Sequence, residues 1–281
     1  MNAPGRFIRG IVKCASVLVL CLGGVAPMLA AESMQVNMLL VAPDGEEYLS
    51  HRNGALLGQV EGNIQGRFLG IDYQLEHVGF DDAGRAREDV SAVIVAGDVA
   101  RILTLRELYA PLNVPVINIS SGDMLLRESC YAGLYHTFPS DKMLRDAESQ
   151  WRQANPGAQV NGQAWHPEFV KFAARDLNKR YSERFEVKMD DAAWAGWAAT
   201  RMVAEAVVRT GSAEPEAIDR YLQESLAFDG QKGVGQTLRN NGQMRQPLLL
   251  VAADGELLGE APVRGVAGSN ELDSLGLPGC L

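Results

Sequence analysis

Apolar and polar positions along this 281-residue chain first alternate between strand-like and helix-like runs, then settle into helical spacing, and return to strands near the end. Residues 35–42, Gln-Val-Asn-Met-Leu-Leu-Val-Ala, read as a buried strand. Leu49, Leu56, Leu57, Val60 and Ile64 then fall at helical spacing across residues 49–64. Residues 73–80, 91–96 and 114–119 predict three more strands, with a helix over 101–109 between the last two. Strands separated by helices predict a parallel sheet with helices on both faces. From residue 141 helices dominate: 141–154, then 167–181 with Pro167 in the first turn, then 190–209 and 215–226. Strand character returns only at 247–252 and 256–261, around the hairpin-like Asp254-Gly255. Residues 263–281 have no periodicity, and neither a repeat nor a low-complexity tract is visible.

The first 31 residues read as an export signal. Arg6, Arg9 and Lys13 form a positive start, residues 14–29 an apolar core, and Leu29-Ala30-Ala31 before Glu32 a small-residue cleavage site. A membrane anchor is the competing reading, but Gly23, Gly24 and Pro27 break the run well short of the ~20 apolar residues that span a bilayer. Leu20 is too bulky before Cys21 for a lipoprotein signal. The predicted location is the periplasm, with no membrane insertion after cleavage near Ala31.

Charge and cysteines narrow the partners. The formal net charge is −9, and loss of the leader's three cations would make the remainder more acidic. That excludes nucleic acid, whose phosphates need a basic face, and argues equally against an anionic membrane surface. A solvated acidic surface and docking to a basic partner both fit. After cleavage only Cys130 and Cys280 remain. Two thiols in an oxidising compartment predict a disulfide tying the C-terminus to the first half, with two free thiols as the alternative.

Catalytic chemistry finds little support. Ser120-Ser121 lies beside Gly122 but in no Gly-x-Ser-x-Gly frame, and His51, His77, His136 and His166 have no spacing that pairs them with a nucleophile. Asp81-Asp82 and Asp190-Asp191 are adjacent carboxylates better read as solvated or complementing a helix dipole than as metal ligands. No zinc or calcium motif occurs. Gly66-Arg67-Phe68-Leu69-Gly70 precedes a strand instead of linking strand to helix, so it reads as a turn and not a phosphate loop. Trp194 and Trp197 share one helix face with Ala193, Ala198 and Val203 and read as core. No enzymatic activity is expected.

In combination, several motifs are more specific. Trp165-His166-Pro167-Glu168, the helix start Met189-Asp190-Asp191 leading into Trp194 and Trp197, Thr210-Gly211-Ser212-Ala213-Glu214-Pro215, and Asn241-Gly242 with Pro247-Leu248-Leu249-Leu250 stand in order. With Gln65-Gly66-Arg67-Phe68-Leu69-Gly70 near the front, the set resembles the type I periplasmic binding-protein-like components that accompany pyrroloquinoline quinone (PQQ) dependent alcohol dehydrogenase systems. The resemblance implies an α/β three-layer fold built on a parallel sheet. Phe138-Pro139-Ser140-Asp141 looks like the family's crossing into a second lobe, which should span ~100 residues or more. Only residues 141–163 intervene before Trp165-His166-Pro167, so the second lobe is expected to be reduced. The expected organisation is a leader (1–31), a first-lobe βα domain (32–140), a second-lobe remnant or crossover (141–164), a helical return to the first lobe with closing strands (165–262), and a tail (263–281).

The resemblance implies a small solute as ligand and an ABC permease or a PQQ-dependent dehydrogenase as partner, with no cofactor of the protein's own. The alternative is an interaction module that docks a dehydrogenase or electron carrier and binds no small molecule. Parallel sheets present ligands at the carboxyl ends of their strands, which singles out Asp98, Ser120 and Ser121. PQQ, flat and carrying three carboxylates, wants an aromatic face and guanidinium forks, which Trp165 with Arg67 or Arg245 would supply. Trp165 also reads as a hydrophobic staple at a helix start.

Overall fold

A computed structural model describes residues 1, 33–266 and 271–280 of the chain. The predicted leader and its cleavage site therefore lie outside the described residues. Five parallel strands, β1 (Met34–Val41), β2 (Ile71–Val78), β3 (Ala92–Val95), β4 (Val116–Asn118) and β5 (Leu134–His136), form one sheet in the order β2-β1-β3-β4-β5. This order reverses direction between β1 and β3, and a crevice opens outside the carboxyl ends of strands at such a point. β1 shows why the sequence runs apolar without a polar face. Met38 and Leu40 enter one core while Leu39 and Val41 enter the other, and in β3 Ala92 and Ile94 part from Val93 and Val95 in the same way. A sheet buried on both faces needs both sets apolar.

Helices cover both faces. α1 (Leu49–Leu69), α5 (Ala174–Phe185), α6 (Asp191–Thr210) and α7 (Pro215–Glu224) contribute to the larger core, and α2 (Val99–Tyr109) with α3 (Leu125–Glu128) to the other. α1 meets α6 at backbone distance through Gly54 and Gly58, the first two of four glycines, with Gly62 and Gly66, that recur every fourth residue. A Cβ at Gly54 would stand 1.8 Å from the Ala193 carbonyl oxygen, and one at Gly58 2.9 Å from that of Trp197. From the other side, a Cβ at Gly196 would come 2.4 Å from the His51 carbonyl oxygen. The first turns of α1 and α6 are thereby fixed side by side.

A second, antiparallel sheet has the order β10-β9-β6, with β6 (Asn161–Gln163), β9 (Leu248–Val251) and β10 (Leu257–Ala261). With α4 (Asp141–Ala154) it encloses a small core of Met143, Ala147, Val160, Leu248, Leu250, Ala261 and Leu275. A two-stranded ribbon, β7 (Phe228–Asp229) and β8 (Gly235–Gln236), completes the described strands. Cys130 and Cys280 are joined in a disulfide with Cα atoms 5.5 Å apart. The tail is also held by Arg239, which donates to the carbonyls of Leu272 and Leu275, and by Gln150, which donates to Ser274.

Several expectations need correction. Residues 66–69 are not a turn: α1 continues through Leu69 and ends at Gly70, whose φ of +68° suits a left-handed cap. Pro167 does not open a helix. The Nδ2 of Asn178 donates to the carbonyls of Pro167 and Phe169 at 2.9 and 3.1 Å, holding the segment in a loop, and α5 starts only at Ala174. The closing strands do pair antiparallel around Asp254-Gly255, and β9 also pairs with β6. Among the described residues no helix is long and apolar enough to cross a membrane.

Candidate functional site

A cavity of about 350 Å³ opens where the carboxyl end of the parallel sheet meets the small sheet. The first turn of α1 supplies His51, the loop after β4 supplies Ser120, and the crossover after β5 supplies Phe138. Gln163 comes from β6, Trp165 and Pro167 from the return crossover, and Asp190, Asp191 and Ala192 from the start of α6.

Helix capping explains the last group. Asp190 is the N-cap of α6, its Oδ1 accepting from the Ala193 N–H at 2.8 Å. The Asp191 Oδ1 accepts from the Trp165 N–H at 2.6 Å, which fastens the return crossover to α6. Burial pushes the Asp191 carboxyl up to about 6, opposed by the backbone N–H groups of Trp165 and Ala164 and by the charge of Lys232. His51 moves the other way: burial lowers it to about 4, with Asp190 pulling up and Arg52 pushing down. Its Nδ1 has no hydrogen-bond partner, so at neutral pH the imidazole is uncharged with one nitrogen unpaired.

The Trp165 ring is 1% exposed, stacks on Trp194 at 6.1 Å, and donates from Nε1 to the Asn178 Oδ1 at 2.8 Å. Lys232, also buried, places Nζ 3.6 Å from the centre of the Trp194 ring and donates to the Gln246 Oε1 and the Pro247 carbonyl. Burial draws Lys232 well below its ordinary value, with Asp191 opposing. The Nζ is held by those two oxygens against the ring face.

Asn118 builds the Ser120 loop. Its Oδ1 accepts from the Ser120 and Ser121 N–H groups at 3.1 and 2.9 Å, and its Nδ2 donates to the Ser121 carbonyl. Ser120 Oγ accepts from the Gly97 N–H at 2.8 Å and donates to the Gly97 carbonyl at 3.0 Å. Arg127 locks the loop to the crossover from behind. It is fully buried, donating from Nε to Gln243, from Nη1 to the Ser121 and Asp123 carbonyls, and from Nη2 to the Phe138 carbonyl. Burial lowers it to about 9, Asp141 and Asp123 opposing, which leaves it charged at neutral pH.

Of the residues singled out from the sequence, Ser120 and Trp165 line this cavity together. Ser121 and Asp98 lie at the same sheet edge but serve local structure: Ser121 accepts from Arg127, and Asp98 caps α2 by accepting from the Arg101 N–H at 2.9 Å. Arg67 lies in the last turn of α1, roughly 24 Å along the helix from His51 at 1.5 Å per residue, beside a separate depression with Ser33 and Asp72. Arg245 is engaged with Asp273 at 2.7 Å and the Leu238 carbonyl at 2.7 Å. The structure therefore does not bring Arg67 or Arg245 to Trp165. His51, Phe138 and Gln163 were not singled out, and Asp190-Asp191 was read only as a helix start, which it also is. Among the described residues no group of three or more His, Cys, Asp or Glu side chains is arranged to hold a metal ion.

A parallel five-stranded α/β sheet with a cavity at its carboxyl edge is the architecture of type I periplasmic binding proteins. Residues 157–256 match a family model described as periplasmic binding protein. Solved structures share the fold: an ABC transporter substrate-binding protein from Desulfitobacterium hafniense has a TM-score of 0.69 at 11% identity, covering 81% of this chain and 99% of that one. The branched-chain amino acid transporter substrate-binding protein of Streptococcus pneumoniae, in complex with isoleucine, gives 0.65 at 10% identity, with 81% and 98% covered. A solute-binding protein of an ABC transporter from Rhodopseudomonas palustris, in complex with 3,4-dihydroxybenzoic acid, gives 0.64 at 10% identity, with 80% and 97% covered. No curated protein matches the sequence.

Proposed function

We propose that the chain is an exported solute-binding protein of the ABC-transporter type, holding a small organic solute in the cavity between its two sheets. The observation that carries this reading is the cavity's position, at the carboxyl edge of the strands and against the return crossover at Trp165. The family match over residues 157–256 and the solute-bound neighbours support it. In this reading α4 with β6, β9 and β10 is the reduced second lobe, the leader directs the chain to the periplasm, and an ABC permease is the partner.

The finer link to PQQ-dependent alcohol oxidation rests on the motifs of residues 165–250 and Gln65–Gly70 alone. PQQ itself is a poor candidate for this cavity: its three carboxylates would face Asp190 and Asp191, and the lining residues include neither Lys nor Arg.

A thermal-shift screen of amino acids, amines, carboxylates, short alcohols and PQQ tests the function, since a ligand of the folded state must raise the melting temperature. A saturable shift that Ala192→Trp abolishes is the expected result, because the added indole fills the cavity. A screen in which no solute shifts the protein, or in which Ala192→Trp leaves every shift intact, overturns the reading.

A further inference from the structure

The charged side chains lining the cavity are the carboxylates Asp190 and Asp191, beside the neutral imidazole of His51. The nearest cations are committed elsewhere: Arg52 donates to the carbonyls of Pro43 and Gly45, and Lys232 to Gln246 and Pro247. Several backbone donors at this edge are also engaged. The Ser120 and Ser121 N–H groups are bound by Asn118, that of Gly97 by Ser120, that of Ala193 by Asp190 and that of Trp165 by Asp191. The positive end of the α6 dipole is already met by the two aspartates.

What the cavity offers is acceptors and aromatic surface. Asp190 is exposed and Phe138 and Trp165 line the wall. Independently of the acidic pair, His51, in the cavity lining, is 8% exposed and its buried Nδ1 has no hydrogen-bond partner. We infer that the cavity selects a small organic cation, an amine carried on an apolar body, over a carboxylate. This rests on the proposed solute-binding function and names its substrate class. The ammonium donates to Asp190, while the apolar body displaces water from the half-buried Phe138 against the wall that Trp165 backs. An anion entering the same space loses its hydration and meets two carboxylates without a counter-ion.

Two matched probe sets test it on the mature, disulfide-bonded chain at pH 7.5 by calorimetry and by NMR of the Trp165 indole N–H. The first is isoleucine, 2-methylbutylamine and 3-methylpentanoate; the second is phenylalanine, phenethylamine and 3-phenylpropanoate. The amine of each set should bind at least about tenfold more tightly than its carboxylate, the equivalent of one charged hydrogen bond. Asp190→Asn should reduce amine affinity roughly tenfold with little change in melting temperature, since Asn caps a helix as well as Asp. Asp191→Asn provides a second variant if the first misfolds. Tighter binding of the carboxylate or the amino acid, or an amine affinity indifferent to both variants, overturns the inference while leaving a solute-binding protein. Silence of all six probes in both measurements, with no solute found in the broader screen, removes the proposed function and this inference with it.

Discussion

The backbone N–H of Trp165 donates to the Oδ1 of Asp191 at 2.6 Å, so the return crossover from the small sheet is anchored on the first residue of α6. The same carboxylate lines the cavity and faces the charge of Lys232. One side chain thus sets the position of the aromatic wall and the electrostatics in front of it. Its ionisation should leave a mark on stability.

His51 and Asp191 should act in opposite senses over the same pH range. His51 falls from 6.5 unfolded to about 4 folded, so the unfolded chain binds more protons in between and stability rises with pH across that window. Asp191 rises from 3.8 to about 6, so the folded chain binds more protons and stability falls as pH rises across it. Relative to the native protein, Asp191→Asn should therefore gain stability with rising pH between about 4 and 6, and His51→Gln should lose it. Each difference approaches ~1.4 kcal/mol per pH unit at most. Urea midpoints at pH 4.5 and 6 measure both, and slopes of the same sign would refute the assignment.

Gly54→Ala and Gly196→Ala each drive a methyl into a backbone carbonyl of the facing helix. Neither carbonyl belongs to a flexible side chain, so each substitution should cost about 1–3 kcal/mol or more in urea denaturation. Gly79→Ala, whose methyl would meet nothing within 4 Å, should be neutral or slightly stabilising.

Arg127 is bound only to neutral oxygens, on Ser121, Asp123, Phe138 and Gln243. Arg127→Ala should cost about 3 kcal/mol or more, because several buried acceptors lose their donors together. Arg127→Lys should rescue little, since a point ammonium cannot replace a fork that reaches both loop and crossover. Equilibrium unfolding of the two variants side by side distinguishes this from loss of charge alone.

The disulfide closes a sequence separation of 150 residues. Loop entropy gives such a cross-link about 5 kcal/mol as an upper value. The double variant Cys130→Ser with Cys280→Ser should melt lower by an amount consistent with part of that. Peptide mapping of the exported protein proposed above, prepared without reductant, should recover the two segments as one cross-linked species, and recovery of free thiols would contradict the pairing.

Ligand binding should not compact the molecule. Gln246 donates to the Thr137 carbonyl at 2.8 Å, Gln243 to those of His136 and Phe138, and Arg127 to that of Phe138. The crossovers between the sheets are thus bonded to one another, and hinge closure would have to break buried bonds. X-ray scattering with and without a saturating ligand should give the same radius of gyration within error.

Much of this was legible in the sequence, and the exceptions have physical causes. Doubly buried β1, β3 and β4 announce themselves as apolar runs, and α4 and α6 by spacing with a capping Ser140 or Asp190 ahead of each. β5 and β6, three residues each, are too short to show a period. Pro167 looks like a helix start because the side chain that prevents one, Asn178, lies 11 residues further on. The pairing of β9 with β6 depends on contacts between segments far apart in the chain. At the site, Ser120 and Trp165 could be found from strand ends and motifs. His51 could not, because its neighbours are assembled by the α1–α6 contact. Gly54 and Gly58, four residues apart, were the available clue to that contact.

For the solute proposed above, that contact would also set which dimension the protein can adapt to. Two helices interlocked through bare backbone cannot ratchet past one another by a turn without colliding at Gly54, Gly58 and Gly196, so the edge of the cavity carrying His51 and Asp190 has a fixed gauge. The opposite edge carries Gln163, on a three-residue strand of the small sheet. Drift toward longer or bulkier solutes should therefore be recorded in substitutions around Gln163 and Phe138, while the α1–α6 edge stays as the reference against which each new solute is measured.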